Sequence, residues 1–244
     1  MIQVIIRAID ILEFVALHGK QPVQLIKIAE QVQLSQPTTA NIVKTLMEKG
    51  YLEQVSRKEG YRLGFASYRL TGNASYDQDL IAASKEPMEN LARQLNETTL
   101  LAQIRNNKRV ILNIVESDQP LQVKTVMVAN LYDTSSGRLL MAYLSPKELE
   151  TLIKAIGYPQ KKTWPGAQTM EGLKSQLQII TKNEFVQTLS IYHTVGFAVP
   201  VYKNSQVVAA LSVFVPQSRY TDSHKEKIYK LIRSAAKKIR ERLE

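Results

Sequence analysis

The sequence predicts an α+β protein in two parts, and three observations carry that reading. Between Leu25 and Leu63, two short amphipathic helical patterns separated by a tight polar turn run into a pair of strand patterns. From Thr98 onward, strand-like and helix-like segments alternate, punctuated by Asn, Gly, Pro and Ser. The formal net charge of +10 over 244 residues favours an anionic partner. Two helices and a hairpin on a basic chain read as a winged helix-turn-helix, in which one helix enters the major groove of DNA.

Taken in order, Ile2 to Leu17 reads as the first helix, with Ile5, Ile9, Leu12 and Ala16 near one face. Arg7, Asp10 and Glu13 interrupt its apolar character, so it is an amphipathic helix and not a signal-peptide core. His18 to Pro22 ends it, with His18 expected to serve the helix C-terminus. Ile26, Ile28, Ala29 and Val32 set the stripe of the next helix, and Leu34 closes the turn. Ser35 suits the N-cap of the following helix, and Pro37 fits its first turn, where a missing N–H costs little. Ile42, Val43 and Leu46 point inward, leaving Gln36, Thr38, Asn41, Lys44 and Thr45 on a short polar face with one cation. Gly50 stops this helix. Tyr51–Val55 and Tyr61–Leu63 then pair around a turn carrying Arg57 and Lys58. The candidate DNA contacts are Ser35, Gln36, Thr38, Thr39, Asn41, Lys44 and Thr45 on the helix, with Arg57 and Lys58 on the wing. The helices alone would also suit a plain bundle with a solvated face; the hairpin directly after them argues against it.

Phe65 to about Ser84 reads as a helical linker weakened at Gly72-Asn73, and Pro87–Leu95 as a separate helix. Strands are expected at Thr98–Arg105 and Val110–Glu116, joined by an Asn106-Asn107-Lys108 turn, with a third at Val123–Val128. A polar loop, Leu131–Gly137, leads into a helix over Arg138–Leu144. Ser145-Pro146-Lys147-Glu148 is a strong start for another. An irregular loop around Trp164, a helix over Glu171–Thr181, a hairpin of Ala198–Tyr202 with Val207–Val215, and a helix from Ser223 complete the chain. The loop Thr134-Ser135-Ser136-Gly137 has two readings: Ser135 or Ser136 caps the helix, or the loop holds a small carboxylate or phosphate at the helix N-terminus.

Composition narrows the function. With no cysteine, a disulfide framework, thiolate nucleophile or cysteine–metal site is excluded. The apolar run Val207–Val215 is too short to span a bilayer, and a cytoplasmic protein without membrane contact is expected. Residues 1–75 hold nine Lys/Arg against six Asp/Glu, whereas residues 219–244 hold nine against four, so the densest charge lies in the last helix. That helix reads as a solvated face. His18, His193 and His224 stand in separate contexts with no metal-binding spacing, and no nucleophile elbow or phosphate-cradling glycine loop is present. Neither a catalytic residue, a metal nor a cofactor is expected.

Ile5–Ala16, Gln24–Gln54 and Tyr61–Gly64 resemble the DNA-binding domain of IclR-type transcriptional regulators, and Leu131–Leu144 and Ala198–Pro216 resemble signature stretches of that family's ligand-binding domain. The resemblance spans nearly the whole chain in the right order. It implies a winged helix-turn-helix at 1–66, a linker helix at 67–84 that helps form a dimer, and a GAF-like effector-binding and oligomerising domain at 85–244. It further implies a regulator, most simply a repressor of a metabolic or catabolic operon, on a palindromic double-stranded operator as a homodimer or homotetramer. A small carboxylic or sugar acid would be the effector, held near Ala129, Ser135, Ser136, Gly196, Ser212 and Phe214. Three departures bear on this. Ala40-Asn41 stands where the family often has a basic pair, Asn183–Ser190 is nearly free of acids, and Phe214 replaces a serine of the usual Ser-x-Ser-Gly-Pro ending. Phe214 makes the pocket more apolar or fills it, which keeps open a constitutive regulator with a ligand-free second domain. An enzyme with an accessory DNA-binding domain is the alternative from another class.

Overall fold

The computed structural model describes residues 2–19, 21–56, 58–67, 77–123, 125–190 and 193–244. The chain divides into two compact units, Met1–Tyr76 and Asp77–Glu244.

The first unit contains α1 (Gln3–Leu17), α2 (Leu25–Gln31), α3 (Gln36–Glu48), β1 (Leu52–Ser56) and β2 (Gly60–Leu63). Its core is Ile11, Val15, Val23, Ile28, Val32, Val43, Leu46 and Leu52. The α1 face differs from the expected one: Ile11 and Val15 are buried, while Ile5 and Ile9 stay about half exposed. Apolar residues surround this helix, so periodicity offered more than one stripe and packing selected another. The turn between α2 and α3 places Gln33 in the left-handed region (φ 53°). Ser35 Oγ then accepts from Thr38 N at 3.3 Å, and Pro37 occupies the first turn of α3. Gly50 (φ 74°) follows α3 and turns the chain into the wing.

The wing strands pair antiparallel, Leu52 opposite Leu63 and Glu53 opposite Arg62. Val23 adds a bridge, exchanging N–H···O bonds of 2.8 and 2.9 Å with Tyr61. That bridge requires Gly60, where a β-carbon would stand 2.2 Å from Val23 O. Arg57 and residues 68–76 of the expected linker lie outside the described residues.

The second unit opens with α4 (Gln78–Leu95), continuous through Pro87, where two helices were expected and where the 84/85 boundary was drawn. Then follow β3 (Thr98–Arg105), β4 (Lys108–Val115), β5 (Val128–Ala129), α5 (Ser135–Ala142), α6 (Pro146–Ile156), α7 (Met170–Asn183), β6 (Val186–Leu189), β7 (Thr194–Lys203), β8 (Gln206–Pro216) and α8 (Asp222–Leu243). The six strands form one antiparallel sheet in the order β5-β4-β3-β8-β7-β6. The third strand, expected over Val123–Val128, shrinks to two residues at the edge, and β6 was not anticipated. Asn106 and Asn107, both left-handed (φ 48° and 61°), make the β3–β4 turn.

Alternation along β7 and β8 divides the core in two. Val195, Phe197, Val199, Leu211, Val213 and Val215 pack under α4 and α8. Ala198 and Ala210 face α5, α6 and α7. In α8, Ile228, Ile232, Ala235, Ala236 and Ile239 form the buried stripe at helical spacing, which leaves most of the helix's lysines and arginines outward.

Candidate functional sites

In the first unit, the outward side of α3 presents Gln36, Thr38, Asn41, Lys44 and Thr45, all exposed, with Ser35 at its N-terminus. The Ser35 and Thr38 hydroxyls share a 2.8 Å hydrogen bond, and Thr45 Oγ1 donates to Asn41 O at 3.0 Å. Gln36, Asn41 and Lys44 therefore carry the long polar groups of this face. Thr39 departs from expectation. It is fully buried, and its hydroxyl donates to Ser35 O at 3.0 Å, so it packs the helix inward and does not reach the surface.

The wing tip is braced from both sides. Ser56 Oγ donates to Glu59 Oε2 at 2.8 Å, and Gln24 Nε2 donates to Lys58 O at 2.8 Å. Lys58 is left exposed, a cation suited to phosphate contact.

In the second unit, the Thr134–Gly137 alternatives separate. Thr134 is the cap, its Oγ1 accepting from Gly137 N at 3.0 Å, and α5 begins at Ser135. Ser135 and Ser136 are thus not caps. Both are fully buried, and their hydroxyls have no hydrogen-bond partner among the described residues; the same holds for Ser212. Buried hydroxyls are ordinarily satisfied, and each orphan is costly.

The sheet register shows what lies beside them. Thr188, Gly196, Phe214 and Thr98 stand opposite one another across β6, β7, β8 and β3. Ser212 is two residues from Phe214 on β8 and therefore on the same face. A β-carbon on Gly196 would meet Ser135 Oγ at 2.9 Å, Thr188 Oγ1 at 3.1 Å and Phe214 Cε1 at 3.2 Å. Ser135, Gly196, Ser212 and Phe214 are thus brought to one region at the start of α5. Phe214 is 7 % exposed and packs with Leu100, Ala102 and Ile111 beneath Val123. The structure does not bring Ala129 to this row. It pairs with Arg109, opposite Ile104, whereas Ser212 and Phe214 pair with Leu100 and Thr98.

Two arginines that sequence reasoning passed over hold parts of the chain between β4 and β5. Arg109 is fully buried and bonds Val126 O (3.1 Å), Met127 O (3.4 Å) and Thr125 Oγ1 (3.4 Å), and burial pushes its guanidinium down to about 10. Arg219 donates to both carboxylate oxygens of Glu97, at 2.9 and 2.7 Å, and to Leu121 O at 2.8 Å. Beginning β4 at Lys108 instead of Val110 would have shown that Arg109 shares the face of Ile111. Thr188 had no signal, because β6 itself was unseen.

The histidines stay apart. His193 is exposed and bonds Gln217, His18 bonds Phe14 O, and His224 lies near Arg219 O. Among the described residues no group of His, Asp and Glu is placed to hold a metal ion, and no helix is long and apolar enough to cross a membrane.

Residues 4–56 match the IclR helix-turn-helix domain, and residues 73–241 match the bacterial transcriptional regulator IclR C-terminal domain. The Escherichia coli regulator KdgR is 23 % identical over 92 % of this chain and 87 % of its own length. The Pseudomonas putida regulator TtgV is 31 % identical over 64 % of this chain and 59 % of its own. Among solved structures, an IclR homolog from Microbacterium hydrocarbonoxydans complexed with 4-hydroxybenzoate superposes with a TM-score of 0.73 at 22 % identity, covering 98 % of each chain. The Thermotoga maritima IclR does so with 0.73 at 21 % identity, covering 100 % of this chain and 99 % of that one. At such identities the structural likeness speaks for the fold, while the matched domains speak for descent. With its helix-turn-helix and its C-terminal domain both matched, the chain belongs to the IclR family of DNA-binding bacterial transcriptional regulators.

Proposed function

We propose that this chain is a ligand-responsive repressor of a metabolic or catabolic operon, acting in the cytoplasm on a palindromic operator as a dimer or tetramer. The observation that carries the ligand-responsive part is the set of three buried, unpartnered hydroxyls, Ser135, Ser136 and Ser212. Two of them open α5, where the helix dipole favours negative charge. A small carboxylate would satisfy the hydroxyls there, with the Phe214 ring against its apolar part. The relative solved with 4-hydroxybenzoate makes aromatic acids the first class to screen.

The hydroxyls are sealed from solvent, so a ligand can reach them only if neighbouring structure moves. A ligand that prefers one arrangement of this domain would shift the spacing of paired DNA-binding modules; equal affinity for both would shift nothing. Pairing is expected because a single module contacts too little DNA for tight binding. The exposed Ile5 and Ile9 of α1 offer apolar surface for a second copy.

On DNA, Gln36, Asn41 and Lys44 would read bases, while Lys58, and Arg57 from its sequence position, would contact phosphate. The test is operator titration at several salt concentrations. Lys58→Ala should weaken binding across sequences and reduce the salt slope by about one, whereas Asn41→Ala should relax preference at one position. Unchanged affinity and slope in both variants would overturn this docking. For the effector, a thermal-shift screen of the full chain against organic, aromatic and sugar acids should give a hit; about 2.7 kcal/mol of stabilisation is expected at a hundredfold excess over Kd.

Buried Phe214 also favours a second reading, a constitutive regulator whose second domain only oligomerises. A flat screen together with operator binding indifferent to every acid would select it.

A further inference from the structure

A separate cleft of about 640 Å³ opens on the second unit between the β3–β4 turn, the Asn130–Asp133 segment and the loop after α6. Its chemistry differs from that of the hydroxyl site. Four carboxamides line it, those of Asn106, Asn107, Asn130 and Gln160, together with the Tyr158 ring, which is 42 % exposed. Among the described residues, Lys108 and Asp133 are its only charged lining groups, so their formal charges cancel.

The lining is built in place. Asn106 and Asn107 are displayed from a two-residue left-handed turn, which fixes their backbone. The Asn130 amide is oriented by Lys108 Nζ, which donates to Oδ1 at 2.6 Å, and by donation from Nδ2 to Asp133 Oδ2 at 3.3 Å. The loop holding Gln160 is stiffened by Arg138, which donates to Tyr132 O at 2.8 Å and Thr163 O at 2.6 Å and lies 4.6 Å from the Trp164 ring centroid. No hydrogen bond among the described residues uses the side-chain amides of Asn106, Asn107 or Gln160. Each amide offers both donors and an acceptor, the pairing that a vicinal hydroxyl needs, and an exposed tyrosine ring offers an apolar platform with a polar tip. Uncharged overall, the cleft lacks the cation excess that would select an acid.

We infer that this cleft binds a neutral saccharide, separately from any effector at the start of α5. Tyr158 would stack on the C–H face of the sugar ring, and the free amides of Asn106, Asn107 and Gln160 would bond its hydroxyls.

Trp164, the sole tryptophan, packs 6.4 Å from the Tyr132 ring that lines the cleft and so serves as an internal probe. The experiment titrates the full chain with glucose, galactose, xylose and maltose, and in parallel with galacturonate, following tryptophan fluorescence and saturation-transfer NMR. At least one neutral sugar should give a saturable change, weakened about tenfold or more in Tyr158→Ala and in Gln160→Ala. Both side chains are exposed, and an unchanged thermal midpoint shows that the variants fold. No response to any neutral sugar, a response to galacturonate alone, or binding that survives both substitutions would each overturn the assignment.

Discussion

Gly196 and Ser135 are packed against each other without room for one more carbon: a β-carbon on Gly196 would stand 2.9 Å from Ser135 Oγ. The glycine serves close approach here, letting the first turn of α5 lie directly on β7. Thr188 and Phe214 close the same space at 3.1 and 3.2 Å.

Gly196→Ala should therefore destabilise the second unit by about 1–3 kcal/mol through overpacking. Urea unfolding of the full chain reads the change. Ser135→Ala in the same chain should return part of the loss, because it removes the nearest atom. Strict additivity of the two substitutions would show that the crowding is not between them.

Ser135→Ala and Ser212→Ala, each made alone, should leave the unliganded protein as stable as before or up to about 1 kcal/mol more stable, since an unsatisfied buried hydroxyl is removed. Each should also abolish the thermal shift produced by any acid found in the screen. A variant that loses stability yet keeps the full shift would contradict the proposed role of these hydroxyls.

Thr39→Val keeps the shape of a fully buried side chain and deletes the 3.0 Å bond to Ser35 O. A loss of about 1 kcal/mol is expected. Operator preference should remain that of the parent protein, in contrast to Asn41→Ala. Footprinting across single-base operator variants distinguishes the two.

Glu97 is nearly buried and takes both its bonds from Arg219. Glu97→Gln should cost about 2 kcal/mol, the range for bonds to a charged group, and should speed amide exchange around Leu121. The pair also holds the Arg219 guanidinium above its usual range, chiefly through the hydrogen bond to Glu97. A base with a raised folded pKa contributes fully below its unfolded value, so this contribution is flat between pH 5 and 9 and falls only in strong alkali.

At the start of α6, Ser145 and Glu148 form a reciprocal capping box, and the side-chain and backbone bonds from Ser145 lower the Glu148 carboxyl below the usual glutamate range. A depressed acid stabilises above its unfolded value and loses that contribution as the pH falls through the folded one. NMR titration should place Glu148 below the usual glutamate range, and Ser145→Ala should bring it only part of the way back, because the backbone N–H of residue 145 still donates to Glu148 Oε2. A Glu148 that titrates in the usual range in the parent protein would refute the link.

Features governed by neighbouring residues were legible beforehand. Ser35 with Pro37, Gly50, the Asn106-Asn107 turn and the Ser145–Glu148 box all act within a few residues, and each stands where the chain pattern placed it. Thr39 is the exception, for it stands four residues before Val43 and seven before Leu46, on the inward stripe that helical spacing already marked; its polar character, not its position, had placed it on the surface. Features that depend on what packs from afar were not legible. The cap of α5 fell to Thr134, which released Ser135 and Ser136 into the core.

The sequence by itself determined most of the elements and their order, the helix-turn-helix with its wing, and the family, because periodicity, caps and turn residues are local and the matched motifs are contiguous. The tertiary structure alone decided which α1 stripe is buried, that Ser135, Gly196, Ser212 and Phe214 share one region while Ala129 does not, and that Arg109 bonds backbone and hydroxyl oxygens and pairs with no acid among the described residues. The reason is sheet register. In an antiparallel sheet, residues far apart in the chain become neighbours through the pairing of β3, β4, β7 and β8, and a one-residue slip would turn every one of them to the other face.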